Sequence, residues 1–272
     1  MGATVHVSQA VEASKESTWR AISEAASVAR WQSDTARGGL ADGTFVLGWP
    51  SLGVELSLDV VEVDPGERLV LGNGDARLEM RVSDGRVDLW HRGLSPEDDL
   101  EGMRASWQVA LGVLAHYLER HEGSDRHVRW ALRSIRTQAE VVHVFFTDRA
   151  ALGSWLTRGD GGVGDVGSAL RCTSHWGSPL CGQVLVRHSG RDVALRLDEP
   201  SEGVLVCRTL PSPSNTADRL VALVWSRWEP QGHPLQGHPL QGHPLQNDPL
   251  SSAHLSAALG RLKLVLESSG GA

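Results

Sequence analysis

A chain of 272 residues with a net charge of −7 and 22% charged residues has room for about two domains, and it shows neither the compositional bias of a disordered chain nor the basic excess of a nucleic-acid binder. No apolar run approaches the roughly 18 residues a membrane span needs. The opening MGATVHVSQAVEASKES lacks the basic start and long apolar stretch of a secretory signal, and His6 stands where myristoylation wants Ser or Thr. A cytoplasmic protein with no membrane partner is therefore expected.

Aromatic usage is uneven: ten Trp stand against three Phe and one Tyr. Of the 26 basic residues only Lys15 and Lys263 are lysine, and no arginine cluster stands out along the chain. The three cysteines, Cys172, Cys181 and Cys207, lack the paired short spacing of a disulfide framework and read as reduced, buried, small apolar residues.

In chain order, Val5, Val7 and Val11 predict an opening strand over 4–12. Ser14 is placed to cap a helix, on which Trp19, Ile22 and Ala26 share a face at helical spacing; a second short helix ends near Trp31. Gly38-Gly39 and Asp42-Gly43 punctuate. Phe45, Leu47 and Trp49 then alternate as a strand, and so do Val54, Leu56, Leu58 and Val60, which reads as half-buried. Asp64-Pro65-Gly66 turns the chain into a strand over 68–71. Leu78, Met80 and Val82 form the next strand, and Asp84-Gly85 is a hairpin signal before a strand over 87–91. A long helix over 100–121 closes the half, its acidic start matching the helix dipole and its apolar face running through Leu100, Met103, Trp107, Ala110, Leu111, Leu114 and Leu118.

The order then repeats, as a domain-sized self-similarity. At the offset that sets Trp31 on Trp155, Thr18–Trp31 falls on Val142–Trp155, Gly43 on Gly167, and ERLVL at Glu67 on RDVAL at Arg191. Domains over 1–122 and 127–268 follow. The second carries a strand over 128–136, helices over 139–156, five strands from 167 to 228, and a last helix with Leu255, Leu259, Leu262 and Leu266. Before that helix lies QGHPLQGHPLQGHPLQNDPL, 231–250, where Pro every fifth residue forbids helix and central strand. It reads as an extended loop insertion.

Candidate site residues come from the first half. Trp31, Phe45, Trp49, Met80, His91 and Trp107 fall on elements that face one another across a sheet and a long helix. They either line an apolar pocket of a few hundred cubic ångströms or fill a core; periodicity does not separate the two. His91 shares a strand face with Val87 and Leu89, as a ligand hydrogen-bonder, an acid–base group or a strand-end histidine bonded to backbone. Glu55, Glu62 and Glu79 alternate outward and read as solvated sheet surface. Cys172, His175 and Cys181 lack zinc spacing, and His233, His238 and His243 belong to the pentapeptide tract, so no metal or cofactor is predicted. There is no nucleophile elbow, phosphate loop or dinucleotide fingerprint, and no basic stripe for nucleic acid.

The first half resembles the START-like helix-grip superfamily (SRPBCC), most closely the bacterial AHSA-type proteins related to the activator of the heat-shock protein 90 ATPase. The residues that carry this are Val11-Glu12-Ala13-Ser14, Thr18-Trp19-Arg20-Ala21-Ile22, Ala29-Arg30-Trp31, Gly43-Thr44-Phe45, Glu62-Val63-Asp64-Pro65, Arg68-Leu69-Val70, His91-Arg92-Gly93-Leu94 and Glu101–Trp107. The second half resembles it through 142–155 and element order, with Leu259 where the first has Trp107. The resemblance implies an α+β fold of two tandem helix-grip domains, each a curved antiparallel sheet wrapped round a long C-terminal helix. It implies a non-catalytic protein that takes a small apolar ligand in a cavity between sheet and helix. The alternatives are a co-chaperone-like module with a chaperone or other protein partner, and a cyclase-type enzyme with His91 as its acid–base group. Fold alone does not choose among them.

Overall fold

The computed structural model describes residues 2–95, 97–212, 218–230 and 250–269. They form two compact units: 2–126 with 228–230, and 127–227 with 250–269. The pentapeptide tract, apart from Leu250, lies outside the described residues, as do His233, His238 and His243. No described helix is long and apolar enough to cross a membrane.

The first unit runs β1 (Ala3–Ala10), α1 (Lys15–Ser23), α2 (Ala25–Val28), β2 (Thr35–Gly39), β3 (Thr44–Trp49), β4 (Val54–Asp64), β5 (Arg68–Asn73), β6 (Ala76–Ser83), β7 (Arg86–Leu94) and α3 (Leu100–Arg120). Its sheet has the order β1-β7-β6-β5-β4-β3-β2 with antiparallel ladders throughout. Ser14 caps α1 by accepting from the Ser17 N–H, and Asp99 caps α3 by accepting from Gly102. The inward faces of the strands carry Val5, Val7, Phe45, Leu47, Leu58, Leu69, Leu71, Leu78, Met80, Val82, Val87 and Leu89, all buried. α3 lies along β1 and β7 and closes this face. Its last half is buried nearly all round, through Val109, Leu111, Val113, Leu114, Tyr117 and Leu118, while Leu100, Met103 and Trp107 are only half-buried.

Three expectations are corrected here. Gly38-Gly39 does not break the chain but ends β2, an edge strand: Gly38 adopts φ +79°, and a Cβ there would stand 2.1 Å from the Thr44 carbonyl oxygen, so only glycine fits. β4 is not evenly half-buried. Leu58 is covered, but Val54 and Leu56 on the same face are 46% and 36% exposed, because α3 lies along β1 and β7, at the other end of the strand order. Glu79 is not solvated.

On the outward face of the sheet Glu79 is only 3% exposed. Its carboxylate accepts from Arg68 Nε at 3.1 Å and Arg81 Nε at 2.7 Å and pairs with Arg92 Nη1 at 2.8 Å. Burial pushes the carboxyl up, but the arginines outweigh it and hold Glu79 below the usual carboxylate range. Arg81 and Arg92 also lie over the ring of Trp90, 5.3 and 5.8 Å from its centre, and His6 stacks on that ring at 4.6 Å. Arginines from β5, β6 and β7 thus gather through strand pairing, which a linear scan does not reveal. Glu55 and Glu62 do stay exposed, each paired with one arginine.

The second unit runs β8 (Asp125–Ile135), α4 (Ala139–Thr147), α5 (Arg149–Gly153), β9 (Ala169–Thr173), β10 (Pro179–Arg187), β11 (Val193–Glu199), β12 (Gly203–Pro211), β13 (Arg219–Glu229) and α6 (Ser252–Ser269). Its sheet order, β8-β13-β12-β11-β10-β9, is that of the first unit less one edge strand. The core packs Phe146, Trp155 and Trp225 with Leu255, Leu259, Leu262 and Leu266 of α6. The protein is therefore α+β, with the helix-grip arrangement in each unit.

The elbow after the first helix is built alike in both. The Trp31 indole N–H donates to Ala21 O at 2.9 Å, and that of Trp155 to Phe145 O at 2.8 Å. Ser23 and Thr147 each bond the carbonyl four residues back, Trp19 O and His143 O.

Glu79→Gln keeps the shape of the side chain but removes the charge that three guanidinium groups surround. We expect it to lower unfolding free energy by about 1.5–3 kcal/mol, measured by urea denaturation, with Glu55→Gln as the near-neutral surface control.

Candidate functional site

The sheet-and-helix interior of the first unit brings four of the six candidate residues to one place. Trp31 from the turn after α2, Phe45 from β3, Met80 from β6 and Trp107 from α3 line a common pocket. Ile22, Val28, Leu47, Leu58, Leu71 and Leu78 complete its apolar wall, and Gln32 is its polar member. Trp49 and His91 stand just behind. The Trp49 indole N–H donates to Gln32 O at 3.3 Å, and His91 Nδ1 accepts from the Trp107 indole N–H at 3.2 Å.

The pocket holds about 20 Å³, not the few hundred expected. That is room for about one water molecule. The rings account for the difference. Trp31 is 3% and Phe45 1% exposed, and the indole N–H of Trp31 is bonded within the helix elbow, which holds its ring inside the grip. Trp107 differs: it is half-buried, and one hydrogen bond to His91 holds its N–H, the two rings meeting edge-on with centres 6.0 Å apart.

Because an indole N–H only donates, His91 Nδ1 is an acceptor and its proton sits on Nε2. Burial pushes the His91 pKa down, and the charge of Asp98 offsets part of that. The imidazole is therefore neutral at pH 7, with one nitrogen engaged by Trp107.

A second, larger space was not anticipated. An open cleft of about 420 Å³ lies between α1–α2 and the C-terminal end of α3, lined by Ser17, Arg20, Glu24, Ser27, Arg30, Tyr117 and Glu122. Its charges are largely matched within the unit: Arg20 pairs with Glu122 at 3.0 Å and Arg30 with Asp125 at 3.2 Å, and the Tyr117 hydroxyl accepts from Gly123 N–H. Its walls come from segments about a hundred residues apart, each of which reads alone as an ordinary solvated helix face.

In the second unit the missed group is Asp192, 1% exposed. It accepts from Arg208 Nε at 3.1 Å and from Thr209 N–H at 3.0 Å, yet burial still pushes its carboxyl above the usual range. Nearby His143 is buried and bonds Arg191 O at 3.2 Å, and burial pushes its pKa down, the opposite direction from the carboxyl. The position at the start of β11, one residue before an apolar run, carried no signal of burial. Burial pushes Cys172 and Cys207 up to about 12. Cys172 bonds Leu180 O and His175 bonds Gly153 O, and among the described residues no group of His, Cys, Asp or Glu is placed to hold a metal.

No family model and no curated protein matches the chain. Solved structures do. DynU16, a protein in the dynemicin biosynthetic locus, is 17% identical and is covered over 98% of both chains, with a TM-score of 0.38. The Aha1 dimer from Colwellia psychrerythraea is 16% identical over 44% of this chain and 99% of its own, with a TM-score of 0.39. The AHSA1-like protein from Aeromonas hydrophila is 17% identical over 43% and 92%, with a TM-score of 0.36. These are loose likenesses of chain path.

Phe45→Ala empties a fully buried ring position and should cost about 3–5 kcal/mol of stability, measured by thermal or urea denaturation. His91 and His143 both sit below the ordinary histidine value of 6.5. The unfolded chain then binds more protons than the native one as pH falls through that value, so stability is full above it and is lost toward acid. The pH profile of unfolding free energy should flatten in the double variant His91→Gln, His143→Gln.

Proposed function

We propose that the first unit belongs with the START-like, AHSA-type proteins it resembles and is a non-catalytic binding domain that takes a small apolar ligand between sheet and long helix. The observation that carries this is the state of the polar groups around the pocket. The N–H groups of Trp31, Trp49 and Trp107 all have partners inside the unit, and His91 Nδ1 is one of those partners. The wall therefore offers an occupant almost only apolar surface. Such a surface favours holding a molecule over reacting with it.

The residual volume of about 20 Å³ requires the wall to open. Trp107 is the piece that moves. It is half-buried, it sits on the half-buried end of α3, and one hydrogen bond to His91 holds its indole N–H.

The neutral probe N-phenyl-1-naphthylamine tests the reading by fluorescence. Trp107→Ala should bind it at least about tenfold more tightly than the natural protein, a change of about 1.4 kcal/mol. Adding Met80→Trp to that variant should refill the space and remove the gain. A folded Trp107→Ala that binds no better than the natural chain overturns the reading.

A protein-docking role, of the kind the AHSA resemblance implies, is the second reading. It is favoured by one observation: Val54 and Leu56 leave apolar surface uncovered on β4, beside half-buried Trp49. Capture of a purified bacterial heat-shock protein 90 should be lost in the double variant Val54→Glu, Leu56→Arg if this strip is the contact. No capture by the natural protein rejects it.

A further inference from the structure

We propose that the His91–Trp107 pair is an acid-released latch on the apolar pocket: a proton on His91 frees the Trp107 ring and opens the space for an apolar ligand. The inference rests on the binding reading above and adds its regulation.

The geometry makes the latch one-directional. Trp107 is a wall of the pocket, and its N–H has His91 Nδ1 as acceptor at 3.2 Å. Protonated at both nitrogens, His91 has no lone pair to offer. The bond is then not weakened but abolished, and two N–H donors face one another across 3.2 Å. The other indoles at the site are anchored to carbonyl oxygens, Ala21 O and Gln32 O, which do not titrate in this range. Only the Trp107 ring is thus tied to a titrating group.

The surroundings of His91 supply little to oppose the change. On β1 its cross-strand neighbour is Val5, and on β6 it is Leu78, both apolar. The charged and titrating residues flanking these positions, His6 on β1, Arg77 and Glu79 on β6 and Arg92 on β7 itself, alternate to the outward face. On α3, Arg104 donates to His6 O and contacts Glu101. Asp98, just before α3, is the charge that acts on His91, and it favours the protonated ring. Asp98 thus favours the protonated ring, the state in which the bond from Trp107 is lost. Burial holds the ring neutral at pH 7, so the latch is shut there and yields below the ordinary histidine range.

The test is the affinity for N-phenyl-1-naphthylamine, which stays uncharged between about pH 8 and pH 5, so that any pH dependence belongs to the protein. In the natural chain binding should strengthen at least about tenfold over that range. His91→Gln offers an amide oxygen as acceptor and does not titrate, so its binding should stay weak and flat. Trp107→Phe has no N–H to hold, so its binding should be tighter and flat. If the natural chain binds without pH dependence while Trp107→Ala binds well, the latch is overturned and the pocket stands. If His91→Gln shows the same rise in acid as the natural chain, the rise comes from elsewhere and the latch is again overturned. If none of the variants binds, it is the pocket itself that fails.

Discussion

One hydrogen bond, repeated, sets the interior of this protein. An indole N–H from the turn after the second short helix reaches back ten residues to a carbonyl near the end of the first: Trp31 to Ala21 and Trp155 to Phe145. A buried indole needs a partner for its single donor, and here the partner is a carbonyl of the neighbouring helix. That choice orients the ring into the grip. In the first unit Trp31 becomes the end wall of the pocket, and in the second Trp155 is wholly buried in the core. Moving the acceptor would turn a large ring out of place and open a cavity worth several kcal/mol.

The same anchoring divides the rings at the first pocket by what holds them. Rings tied to backbone carbonyls move only with the helices that hold them. Trp107 is tied instead to a side chain, on a stretch of α3 that is half-buried, whereas the helix from Val109 to Leu118 is buried nearly throughout. A tightly packed interior passes strain on without yielding, so motion concentrates where packing is partial. The chemistry of the pocket follows: its walls are apolar because their polar atoms are engaged, and the indole N–H of Trp107 is held by a neutral imidazole.

The outward face of the same sheet is organised by charge. Glu79 sits beneath arginines from three adjacent strands, with Trp90 and His6 stacked beside them. A carboxylate with that many charge-assisted bonds costs less to bury than its 3% exposure suggests. It also ties the registers of β5, β6 and β7 together, since a one-residue slip would send its side chain to the apolar face.

Much of this was legible in the residues. Alternation at Phe45-Leu47-Trp49 and at Leu78-Met80-Val82, the cap at Ser14, the acidic turn before α3 and the self-similarity that pairs Trp31 with Trp155 determined the elements, their order and their duplication, because these signals are local or periodic. The meeting of Trp31, Phe45, Met80 and Trp107 was legible too, since each lies on an inward face. Whether those rings line a space or fill it was not, because that depends on a few ångströms between elements distant in sequence. Nor was the edge strand at Gly38-Gly39, whose glycines signal a break until a close backbone approach demands them. The burial of Glu79 and Asp192, the exposure of Val54 and Leu56 and the bond from Trp107 to His91 were decided by the tertiary structure alone. Cross-strand pairing and helix placement, not chain neighbours, set what each of those side chains touches.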